Sequence, residues 1–104
     1  MILTTTPTIE GHPVKTYLGV VSGETIFGTN VIRDIVASVR DLIGGRSTEY
    51  EEVLLEAKKQ AMAEMQQRAM ALGANAIVGI DYDYESVGQI NMMMVSVSGT
   101  AVII

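Results

Sequence analysis

The chain has no cysteine and no tryptophan, and only one phenylalanine, one histidine and two prolines in 104 residues. Without cysteine there is no disulfide, no thiolate ligand and no cysteine nucleophile. His12 is the sole imidazole, which excludes tight zinc built on Cys and His spacing. A Ser–His–acid triad would have to use His12, and no serine sits in a Gly-x-Ser-x-Gly elbow. GETIFG, from Gly23 to Gly28, lacks the Lys-Ser/Thr pair of a phosphate loop. Positive charge is also scarce, with seven Lys and Arg against twelve Asp and Glu and a net charge of −5. Only Lys58 and Lys59 are adjacent, so no basic patch exists for a phosphate backbone, and nucleic acid is not an expected partner. No apolar run approaches the ~20 residues of a membrane span. MILTTTPTIEG has neither a basic n-region nor a long apolar core, so it does not read as a signal peptide, and a cytoplasmic location is the expectation.

What is there is apolar. The hydrophobic set makes up 48% of the residues, and mean hydropathy is +0.31. That is rich for one small domain, which is what 104 residues suggest. The surplus points to apolar surface covered by another subunit.

MILTTT reads as a short first strand ending at Pro7. HPVKTYLGVVSG alternates around Val14, Thr16, Leu18 and Val20 and reads as a second strand closed by Gly23, with ETIFG as a further short extended piece. Asn30 is an N-cap for a helix whose apolar set is Ile32, Ile35, Val36, Val39, Leu42 and Ile43, stopped by Gly44–Gly45. Thr48 and Glu51 form a capping box for a second, longer helix that runs to Leu72 and stops at Gly73. Its stripe comprises Tyr50, Val53, Leu54, Ala57, Ala61, Met65, Ala69 and Leu72, with Leu55, Met62 and Met70 outside it. Ala57, Ala61 and Ala69 would let a neighbour approach closely. NAIVGIDYDY is a third strand, SVGQ a hairpin turn, and INMMMVSVSGTAVII a fourth strand in which Gly99 marks a bulge or a close backbone approach. Strands, two helices and strands in that order predict an α+β fold with a small, mostly antiparallel sheet.

Three clusters are chemically suggestive. Asp81, Asp83 and Glu85 alternate with Val78, Ile80, Tyr82 and Tyr84. Alternate residues on a strand are about 7 Å apart and cannot converge on one cation. A metal site there would need a partner strand, so the favoured reading is a solvated face whose acids discourage edge pairing. Met92 and Met94 share a strand face and could offer soft sulfur to Cu(I), although methionine is also an adaptable filler of cores and interfaces. Glu24, Arg33, Asp34, Arg40, Asp41 and Arg46 lie near the strand-to-helix transitions. The seven-residue repeat of Arg-Asp suits a salt-bridge network with a neighbouring subunit, a ligand-binding cleft or a solvated face.

Three stretches carry a family resemblance: VSGETIFGTNVIRDIVASVRDLIGGRSTEYE, ALGANAIVGIDYDYESVG and MMMVSVSGTAV. Within them are Gly23-Glu24, Asn30, Arg33-Asp34, Gly44-Gly45-Arg46, Gly73-Ala74-Asn75-Ala76 and Gly99-Thr100-Ala101-Val102. With these features nearly the whole chain resembles the YbjQ-like proteins, small bacterial and archaeal proteins that carry a heavy-metal-binding label and have no established function. The resemblance implies a dodecin-like α+β subunit in a homopentameric ring, and brings no catalytic residues. The expected function is a non-enzymatic oligomeric binding or structural protein, with no firmly implied cofactor and a metal ion or small molecule as possible ligand. The alternative is a small-molecule-binding or enzymatic ring with sites between subunits, in which Glu24 would meet Arg33 or Arg46.

The missing thiolates and imidazoles lead to a prediction. Titration calorimetry with Zn²⁺, Cd²⁺ or Hg²⁺ will show no stoichiometric site tighter than about micromolar, roughly −8 kcal/mol. A sub-micromolar site at one metal per subunit would overturn it.

Overall fold

The structure is a computed structural model and describes residues 1–28, 48–87 and 92–104. In chain order the elements are β1 (Ile2–Leu3), β2 (Thr16–Phe27), α1 (Thr48–Ala71), β3 (Ala76–Val87) and β4 (Met92–Ile103). The expected helix after Asn30, and the turn at Gly88, lie outside the described residues. The strands form one sheet in the order β1-β3-β4-β2. β3 and β2 pair antiparallel with β4, while β1 pairs parallel with β3, so the sheet is mixed. This is a small α+β fold.

α1 lies on one face of the sheet. Ala57, Ala61, Met65 and Ala69 recur every fourth residue and are buried, forming a narrow stripe on one side of the helix. Small side chains in three of these positions bring the helix backbone close to β2. The contact point is Gly23, where a Cβ would collide with the Ala61 carbonyl oxygen and lie 2.9 Å from the Met65 nitrogen. Gly23 therefore does not close the second strand. It sits inside a strand that runs on to Phe27 because the helix needs a bare backbone there. Leu72 is exposed rather than part of the stripe, because the helix closes one residue earlier, at Ala71. Met62, read as lying outside the stripe, is partly buried against the core.

The end of α1 is a Schellman motif. Gly73 has φ 88°, its N–H donates to Met70 O, and the Ala74 N–H donates to Ala69 O. Ala74 then packs against the core.

β3 carries a bulge between Val78 and Asp81, with Gly79 at φ 63°. The extra residue flips the alternation. Ile77 and Ile80 both face the helix and join its core. Val78 faces the opposite way with Ala76 and Val102, under Ile9 and Val14. The reading that put Val78 on one face with Ile80, Tyr82 and Tyr84 is thus corrected. The freed backbone is used by the N-terminal segment: Gly79 N–H donates to Thr6 O and Ile80 N–H to Thr4 O. Gly99 is the residue opposite the bulge, and a Cβ there would come within 2.7 Å of the Ile77 side chain. Close approach at Gly99 is seen as expected, but the bulge itself belongs to β3.

The Gly23 contact yields a prediction. Gly23→Ala will lower stability by about 3 kcal/mol, the upper part of the range for overpacking a tight core, because backbone atoms cannot move aside as a side chain can. Gly28→Ala, where nothing lies within 4 Å of the new Cβ, will change it by less than about 0.5 kcal/mol. Urea unfolding of the two variants checks this.

Candidate functional site

The register puts the acidic row on the sheet face away from α1. Across the strands Asp81 lies level with Ser98 and Ser22, Asp83 with Ser96 and Glu24, and Glu85 with Met94 and Ile26. Met92, two residues before Met94, falls on the same face. Five sequence candidates, Asp81, Asp83, Glu85, Met92 and Met94, thus share one surface with Glu24. They do not converge. Asp83 and Glu24 are separated by the whole of β4, about 9.5 Å at the backbone. Asp81, Asp83 and Glu85 are exposed, and Asp83 Oδ1 accepts the Tyr84 N–H at 3.1 Å. Among the described residues no three His, Asp or Glu side chains cluster closely enough to hold a metal ion. His12 sits in a turn closed by its own N–H on Ile9 O, on the segment before β2.

A heavy-metal ion of the soft class wants thiolate, thioether or clustered imidazole. What this face offers is separated carboxylates and hydroxyls with the thioethers of Met92 and Met94, two residues apart on one strand, among them. With no thiolate or imidazole beside them, the described residues do not form a convergent set for such an ion.

Arg33, Asp34 and Arg46, the expected neighbours of Glu24, lie outside the described residues. Among the described residues Arg68 reaches Glu24 Oε2 at 3.5 Å and Glu64 Oε1 at 2.6 Å, and its Nη1 donates to the Ser22 carbonyl oxygen at 2.8 Å. The Ser22 hydroxyl donates to Glu24 Oε1 at 3.1 Å. This polar cluster fastens the second half of α1 to the middle of β2, beside the Gly23 contact. The i,i+4 spacing of Glu64 and Arg68 is a helix-pair signal visible in the sequence. The link to Glu24 across 44 positions is not.

On the other flank of α1, Lys58 Nζ lies 5.6 Å from the ring centroids of both Tyr82 and Tyr84, a cation–π arrangement. The Tyr84 hydroxyl, as hydrogen-bond partner and then as a nearby charge when ionised, raises the Lys58 ammonium above its ordinary value of 10.5; burial opposes this, and Tyr82 adds to it. The bulge makes this possible, since it turns Tyr82 and Tyr84 toward the helix.

Among the described residues this arrangement defines a small α+β protein with a helix packed on a four-stranded mixed sheet and no convergent catalytic constellation. The chain belongs to the YbjQ family: the family model described as "Putative heavy-metal-binding" matches residues 1–104. A similar fold occurs in a crystal structure of a protein of unknown function of the DUF74 family from Pediococcus pentosaceus. The TM-score is 0.69 at 20% identity, with 100% of this chain and 97% of that chain covered. No helix among the described residues is long and apolar enough to cross a membrane.

The Lys58 contact predicts an alkaline signature. A value raised in the folded state contributes stability that is fully present below the unfolded value of 10.5 and is lost as pH rises through the folded one. Lys58→Met keeps the apolar stem and removes the charge. The stability gap between wild type and this variant will stay level from about pH 7 to about pH 10 and close only above the unfolded value of 10.5. Urea midpoints from neutral pH to above that value check it, and a gap already closing near pH 7 would refute the assignment.

Proposed function

We propose that this protein is a cytoplasmic, non-enzymatic homo-oligomer whose role is binding or structural, and that its assembly is the dodecin-like pentameric ring implied by its family. The carrying observation is shape. The radius of gyration is 16.6 Å and the extents are 52 × 29 × 17 Å, whereas a compact chain of about 100 residues has a radius near 13 Å. Among the described residues α1 covers one face of the sheet, and the N-terminal segment covers the other face at one end only. Val20 is 81% exposed, and Tyr17, Ile26, Leu55 and Met70 are each more than half exposed. Covering such residues contributes about 25 cal/mol per Å² of apolar area. The number five rests on the family resemblance alone.

A second reading is a small-molecule site completed between subunits. In its favour is an apolar cleft of about 230 Å³ beside the end of β2, lined by Phe27, Val53 and Ala57 with Glu56 and Gln60 at its mouth. The cleft lacks convergent charged groups, so the oligomeric reading is preferred.

Light scattering coupled to size exclusion tests the assembly. The expected mass at micromolar concentration is a fixed multiple of the 11.2 kDa subunit. A mass near 11.2 kDa would refute assembly, while a stable trimer or dodecamer would refute only the pentamer.

A further inference from the structure

Among the described residues the sheet has a long open edge. β2 spans 12 residues, pairs with β4 along its length and has no second strand beside it among the described residues. TYLGVVSGETIF holds no proline, lysine or arginine, and Tyr17, Val20 and Ile26 are exposed along it. Such an edge is a template for a strand of another chain.

Arg68 stands in the way. Its backbone belongs to α1, on one face of the sheet, yet it contacts Glu24, whose side chain belongs to the opposite face by register. β4 fills the other side of β2, so the guanidinium passes round the open edge. There it donates to the Ser22 carbonyl oxygen at 2.8 Å, near the middle of the strand. Glu64 at 2.6 Å and Glu24 at 3.5 Å hold it in place. We propose that Arg68 is an edge lock, which prevents a strand from a second copy of this chain from pairing with β2. An incoming strand would have to displace a charged donor from Ser22 and leave Glu24 and Glu64 without their common cation. The other open edge, β3 beyond its bulge, is guarded in a parallel way by Asp83, which accepts the Tyr84 N–H. This proposal goes beyond the oligomeric reading and is independent of subunit number.

The test uses the full chain and three variants, followed by thioflavin fluorescence and by the amide I band of intermolecular β-structure. Arg68→Ala, a change at a half-exposed side chain, will shorten the lag of β-aggregation several-fold while the starting far-UV dichroism matches wild type. Glu64→Gln breaks the helix ion pair but leaves the donor on Ser22, and will keep a lag near that of wild type. Adding Thr16→Lys, at an exposed polar position of β2, to Arg68→Ala places a new charge on the same strand and will restore the lag. An unchanged lag in Arg68→Ala overturns the proposal. So does an equally short lag in Glu64→Gln, or no recovery with Thr16→Lys, because either result assigns the effect to lost stability rather than to an opened edge.

Discussion

The architecture rests on a backbone contact. Gly23 of β2 lets α1 settle until the Ala61 carbonyl meets the strand, and the alanines at 57, 61 and 69 remove side chains that would hold the helix away. With that distance set, Met65 is left as the one large residue of the stripe and is fully buried. The same closeness brings Arg68 within reach of Ser22 and Glu24 on one flank. On the other it brings Lys58 over Tyr82 and Tyr84. A helix even a methyl group further out would weaken both polar contacts, because each depends on a long side chain bending to a fixed point.

The bulge at Gly79 is the second constraint. Without it, strict alternation would keep Val78 and Ile80 on the same face, and either Ile80 or the Ala76–Val78 patch would lose its cover. With it, the sheet has two small cores on opposite sides at one end: Ile77 and Ile80 under the helix, Ala76 and Val78 under the N-terminal segment. Further along β3 the outer face is left to Asp81, Asp83 and Glu85. Their exposure follows from what covers each end of the sheet and does not imply a ligand. The carboxylates run along a strand, whereas a metal site needs donors from several directions.

The family label and the donor set point in different directions. Soft metals select thiolate, thioether and imidazole, and the described residues present spread carboxylates and hydroxyls with only Met92 and Met94 as sulfur donors beside them. Apolar exposure is the more informative feature. Among the described residues Val20, Tyr17 and Ile26 lie on an edge strand, which proteins shield by assembly over the faces or by charged side chains at the edge itself.

Much of this was legible in the residues. The absence of cysteine and the single histidine bounded the chemistry. The four-residue spacing of Ala57, Ala61, Met65 and Ala69 gave the helix and its buried side, and Gly73 marked its stop, because periodicity and capping are local. The shared face of Met92 and Met94 on β4 was legible for the same reason. Other features were beyond a one-dimensional reading. Gly23 looked like a strand end, since nothing near it in sequence shows that a helix forty residues later presses on it. Val78 was placed on the wrong face because one bulged residue inverts every side chain beyond it, and only pairing with β4 reveals where the insertion falls. The contact of Glu24 with Arg68, 44 residues away, was not visible in the sequence, because tertiary packing supplies it. Local periodicity is written in neighbours along the chain, whereas register, bulges and long-range ion pairs are decided by which surfaces can be brought close enough to exclude water.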